Sequence, residues 1–202
     1  MIKKGLYIFL LISTITVTFL GCNQSKHKSK HGLKVSYTAD TLKVAYTYWW
    51  PQSGPFIGMC GQRYAMVFTG VITKIDISEK EPEALYTSQK GIIEIEQILT
   101  VRHLEKKKYD NQRFFSSDCF YEQGLKEGDK VVVFCYEYED YYSIPGKKSI
   151  IKIKNDNDPI IKSIKKYIET DQNPLAIKDD IELWKKYDLD ENLTQIIQCK
   201  EN

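Results

Sequence analysis

Five cysteines, three histidines and two crowded sets of aromatic residues are where this 202-residue chain could do chemistry. A Cys–His nucleophile needs a histidine beside a thiol, and the histidines are His27, His31 and His103. The first two lie in a Lys/Ser-rich stretch, NQSKHKSKHGL, and the third in a charged loop. His27 and His31 have an i, i+4 spacing that would pair on a metal in a helix, but no apolar face or cap favours one there. Zinc-ligand spacings, phosphate-cradling glycine loops and a Gly-x-Ser-x-Gly elbow are absent from the sequence. Glu94 and Glu96 point to one side of a strand, as a general acid and base would, yet a solvated strand face explains them better. No catalytic residue, metal ligand or cofactor is assigned.

The aromatics are the larger surplus. Tyr46, Tyr48, Trp49, Trp50 and Phe56 crowd one Pro/Gly-flanked stretch, and Tyr136, Tyr138, Tyr141 and Tyr142 crowd another. One reading packs them in the core and under loops. The other makes Tyr48, Trp49, Trp50 and Phe56 a platform for a protein or a sugar, since such side chains give large contact area at low entropy cost.

The first residues carry an address. Lys3 and Lys4 precede an apolar run from Leu6 to Leu20, followed by small Gly21 and then Cys22. Basic start, short apolar stretch and small residue are the layout of a secretory signal peptide. A spanning anchor is the rival, because Gly5 to Cys22 is 18 uncharged residues, at the lower limit for crossing a bilayer. Leu20-Gly21-Cys22, followed by polar Asn23, Gln24 and Ser25, resembles the lipobox of bacterial lipoproteins. Phe19 and Leu20 depart from the usual pattern. The resemblance implies a diacylglycerol on Cys22, and two or three acyl chains at about 0.8 kcal/mol per buried methylene make the anchor nearly permanent. Residues 22–34 then read as a flexible tether. Membrane lipid, through acylated Cys22, is one expected partner, and a bacterial cell envelope the expected place, at the outer membrane if there is one.

The body must supply what positions the rest. Residues 41–50, 63–77, 91–100, 112–116, 130–138 and 147–154 carry strand patterns, the second bent at Gly70. After Asp156 the period changes to helical: Asp158 is a cap candidate before Pro159, with an apolar stripe to Ile168, and a second helix is expected over 179–187. The expected fold is mainly β, a small barrel of about five strands over 35–157, with a helical appendage at 158–202 packed on it. Residues 35–202 hold 23 basic against 27 acidic side chains, a net −4, which argues against nucleic acid as a partner.

GMCGQRYAMVFTGVITKI (58–75) and DCFYEQGLKEGDKVVVFCY (118–136) resemble the netrin-like domain, the oligonucleotide/oligosaccharide-binding (OB) type of barrel shared with tissue inhibitors of metalloproteinases. The resemblance covers about half of the chain beyond Cys22. Two cysteines of that pattern are missing, since Cys60 stands alone and none follows near Ser149. With Cys22 lipidated, Cys60, Cys119, Cys135 and Cys199 remain, and four cysteines allow three pairings. The resemblance favours Cys60 with Cys119, leaving Cys135 to pair with Cys199 or to sit in the core. It also implies protease inhibition through a free terminal cysteine, but Cys60 is internal and has no free amine, so none is expected. The reading reached is a lipid-anchored, non-catalytic binding module for an unknown envelope protein or glycan. An envelope hydrolase using acidic residues and a structural subunit of an envelope assembly are the alternatives.

Overall fold

Runs rich in Val, Ile, Tyr and Thr become strands because such side chains fit a pleated, half-buried surface. The computed structural model describes residues 38–46, 52–78 and 87–202. The strands are β1 (Thr38–Lys43), β2 (Ala45–Tyr46), β3 (Tyr64–Ile75), β4 (Gly91–Val101), β5 (Gln112–Ser117), β6 (Lys130–Tyr138), β7 (Tyr141–Ile144) and β8 (Ile150–Lys152). They form one mixed sheet in the order β1-β5-β4-β3-β6-β7-β2, with β8 also paired to β6. β3, β4 and β5 are an antiparallel meander, and β6 returns to the other side of β3, which makes a Greek key. β1 runs parallel to β5 and β2 parallel to β7. Only Val44 separates β1 from β2, so one segment lies along both edges of the curled sheet. The result is a half-barrel, open beside β8. Of these strands only β7 was not expected from the sequence; β2 and β8 fall inside the runs 41–50 and 147–154 but keep just two and three residues of them.

The central strands β3 and β6 are buried on both faces. Along β6, Val131, Val133 and Cys135 face a core inside the curl, with Phe68, Ile93, Phe115 and Ile150. Val132, Phe134 and Tyr136 face the opposite way, into a second core beneath the helices. β3 follows the same division but shifts register against β6 between Tyr64 and Met66. Gly70 is required by contact rather than by conformation: a Cβ there would stand 2.3 Å from the Glu94 carbonyl oxygen. β3 and β4 shift register beside it, between Thr69 and Gly70.

Three helices close the second core. α1 (Pro159–Glu169) starts where expected, with Asp158 Oδ1 accepting from the Ile160 N–H at 3.2 Å and Pro159 in first position. Its stripe of Ile160, Ile161, Ile164 and Tyr167 packs on the sheet. A 3-10 stretch, Pro174–Asp180, leads into α2 (Ile181–Lys185), and Trp184 of α2 is fully buried with its Nε1 donating to Ser163 Oγ at 3.0 Å. The sequence reading carried no element across α3 (Asp190–Glu201), which buries Leu193, Ile196 and Ile197.

The structure corrects the cysteine pairing. Cys60 bridges to Cys199 near the end of α3, with Cα atoms 5.1 Å apart, and not to Cys119. Cys119 and Cys135 are both buried free thiols, so the possible Cys135–Cys199 bridge is absent as well. The reason is the two-sided sheet. Cys119 and Cys135 belong to the core inside the curl, whereas Cys60 lies on the helix side, where neighbouring Gly61 touches Tyr167 and Ile196. Non-reducing peptide mapping should return a Cys60–Cys199 cross-link. The Cys60→Ser/Cys199→Ser double variant should unfold about 2–5 kcal/mol more easily in a denaturant titration.

Candidate functional site

Three connectors meet at the open side of the half-barrel. The first runs from β5 to β6. Gln89 and Cys119 pair as an isolated bridge, and Phe120 packs against Gly91, where any Cβ would come within 2.6 Å of the ring. That fastening carries Glu122 and Gly124, both at positive φ, and Leu125, which packs on the inner core. The second connector is Pro145 to Ser149. Ser149 Oγ donates to the Pro145 carbonyl at 3.0 Å, and the Lys148 N–H donates to Ser53 Oγ at 2.8 Å. Gly146, at φ 82°, leaves room for Ser53. The third connector joins α2 to α3 through Tyr187 and Asp188.

Between them lies a cleft of about 450 Å³. Leu125, Ile150 and Ile151 form its apolar lining, and Lys147, Lys148 and Lys152 bring ammonium groups to it. Glu122 and Asp188 are its carboxylates. Lys147 Nζ stands 3.5 Å from Glu122 and 5.5 Å from the centre of the Tyr121 ring. Lys148 Nζ donates to the Asp188 backbone carbonyl at 2.6 Å. Lys152 Nζ is 2.6 Å from Asp129, and this ammonium beside it holds the Asp129 carboxyl below its ordinary range. Such a cleft can hold an anionic group against apolar surface. Sequence reading took 147–154 as a strand and missed the site. Its signal was the Pro145-Gly146 break followed by Lys147-Lys148, which turns the chain away from β7 before β8 begins.

The residues singled out from sequence are scattered. Phe56 does not belong to an exposed platform: it is fully buried, edge-on to Trp184 at 4.6 Å and to Tyr167 at 5.8 Å. It follows Pro55 into the helix-side core, where a ring fills space between α1 and α2. Tyr48, Trp49, Trp50 and Cys22 lie outside the described residues. Their described neighbours are fixed, since Tyr46 pairs with Ile144 and Gln52 donates to Gln195 at 2.9 Å. Of the second crowd, Tyr136 and Tyr142 are buried, and Tyr138 and Tyr141 are exposed at the β6–β7 turn. Glu94 is bound by Arg113 at 2.7 Å and Glu96 by Lys130 at 2.6 Å, so both half-buried carboxylates are ion-paired. His103 is exposed in the loop after β4. Among the described residues no three His, Cys, Asp or Glu side chains group as a metal site, and no helix is long and apolar enough to cross a membrane.

No protein-family profile matches the chain, and no curated protein matches it.

Cys119 illustrates what burial does to reactivity. Desolvation, only partly offset by Ser117, pushes its thiol from the ordinary 9.0 up to about 12. A neutral thiol is a poor nucleophile. Linkage then fixes a sign: this burial contributes stability fully present below pH 9.0 and lost as pH rises through about 12. Desolvation pushes Tyr167 from the ordinary 10.0 up to about 12 and acts in the same direction over the upper part of that window. Denaturant midpoints should therefore fall between pH 9.0 and 12, and fall less steeply for Cys119→Ala.

Proposed function

We propose that this protein is a lipid-anchored binding module of a bacterial cell envelope, non-catalytic, that captures an envelope protein or glycan. The observation that carries the binding reading is the lysine-bearing cleft at the open side of the half-barrel. The anchor rests on Leu20-Gly21-Cys22 and its polar sequel. The Cys60–Cys199 bridge supports export, because disulfides persist in oxidising compartments. The finer reading of the sheet as an OB-type barrel is supported by the Greek key of β3 to β6 and by the curl. Trp49 and Trp50, stiffened by Pro51 and Pro55, are the proposed aromatic contact. Ser53, three residues beyond Trp50 in sequence, accepts from the Lys148 N–H at 2.8 Å.

Intact-mass measurement on membrane-extracted protein should find acyl mass on the peptide that begins at Cys22, and Cys22→Ser should release the protein from membranes. Unchanged retention of that variant would refute the anchor. For the aromatic contact, crosslinking from intact envelopes compares wild type with the Trp49→Ala/Trp50→Ala variant. Loss of a tryptophan anchor costs about 2 kcal/mol or more, roughly thirtyfold in affinity. Capture should fall accordingly while the melting temperature stays unchanged; a variant that fails to fold would mean that the tryptophans belong to the core.

A further inference from the structure

β8 pairs with β6 on one side and with no strand on the other among the described residues. Backbone directions along it follow from the ladder. The Ile153 N–H donates to the Lys130 carbonyl at 2.9 Å, and Ile151 stands opposite Val132. Antiparallel pairs alternate, so Ile150 and Lys152 turn their backbone groups away from β6. The Ile150 N–H is taken by the Lys147 carbonyl. The Ile150 carbonyl and both backbone groups of Lys152 then have no partner among the described residues. They point away from β6, and both residues line the cleft.

The charges beside this edge are unevenly compensated. Lys148 spends its close contact on a carbonyl rather than a carboxylate, and Lys147 holds Glu122 only at 3.5 Å. Only Lys152 has a short carboxylate contact. An unpaired strand edge recognises main chain, and ammonium groups around it select carboxylates. We propose that the free edge of β8 docks an extended acidic peptide of a partner protein, which adds a strand to the sheet and lays its carboxylates toward Lys147 and Lys148. This deepens the binding-module reading and rests on it. A free anion could use the ammonium groups but would leave the Lys152 N–H untouched, which gives the proposal its test.

The probe is an end-capped peptide of alternating Val and Glu, titrated into the full chain in mild detergent, with the Val/Lys peptide and sodium phosphate as controls. The Val/Glu peptide should bind saturably, and the Lys152 amide should exchange with solvent about tenfold more slowly in its presence. Lys148→Glu should weaken binding about tenfold or more. Lys152→Pro deletes the outward N–H without touching the ladder to β6, as edge positions tolerate. It should abolish binding, whereas Lys152→Ala, which loses the same exposed ion pair, should bind within about fivefold of wild type. Equal binding of the two peptides, equal behaviour of the Pro and Ala variants, or an unprotected Lys152 amide would each overturn the proposal. If Lys152→Pro does not fold, the exchange rate of that amide in the wild type decides alone. The titration does not depend on Cys22, so failure of the anchor and failure of the docking edge remain distinguishable.

Discussion

Six consecutive residues of β6, Val131 to Tyr136, are buried, and a strand can bury six in a row only if something covers each of its faces. That requirement organises the molecule. The curl of the sheet covers one face, bringing Ile93, Phe115 and Ile150 over Val131, Val133 and Cys135. The helices cover the other, bringing Ile160, Trp184 and Leu193 over Val132, Phe134 and Tyr136. Neither layer is dispensable. Fully burying one such side chain contributes about 1.5–3 kcal/mol. The apolar layer beneath the helices therefore outweighs the one disulfide, worth about 2–5 kcal/mol. Cys60–Cys199 fastens a helix that packing already holds.

This division also explains why the two kinds of cysteine behave so differently. Cys60 and Cys199 sit where a loop and a helix end meet on the helix side, within bridging distance. Cys119 and Cys135 are core residues of the other face, packed as small apolar side chains and held as thiols by desolvation. A sheet two layers deep keeps the two sets apart. No change at the surface would bring Cys119 to Cys60.

What could be read from the sequence was whatever repeated often enough. β3, β4 and β6 run long with β-branched residues, and their observed limits, like those of the shorter β5, fall within two residues of those expected. α1 declared itself through Asp158, Pro159 and five stripe residues from Ile160 to Ile168. α3 offered only Leu193, Ile196 and Ile197, about one turn of stripe, set among polar residues. β7 was missed before the Pro145-Gly146 break, and 147–154 read as one strand where the chain makes a 3-10 turn before β8 begins. Phe56 was misjudged because a Pro/Gly-flanked aromatic looks the same whether its loop folds inward or stands out. The cleft was invisible for a deeper reason: its walls come from three connectors, and no local pattern records which connectors meet.

The edge of β8 combines two demands that usually oppose each other. An exposed strand invites indiscriminate pairing, and proteins blunt such edges by keeping them short and placing lysines on them. β8 has three residues, with Lys152 at its end and Lys147 and Lys148 just before it. Those features would be sufficient protection on a flat surface. Here the residues of the edge also line a cleft whose apolar lining includes Leu125 and Ile151. The lysines then act as a filter: a basic strand entering the cleft meets ammonium groups of which Lys148 holds only a carbonyl and Lys147 a long carboxylate contact, while an acidic one supplies further counter-charge. Discrimination of this kind needs a repulsive element as well as an attractive one. Lys147 and Lys148 provide both, which is why a guarded edge and a selective one have the same structure.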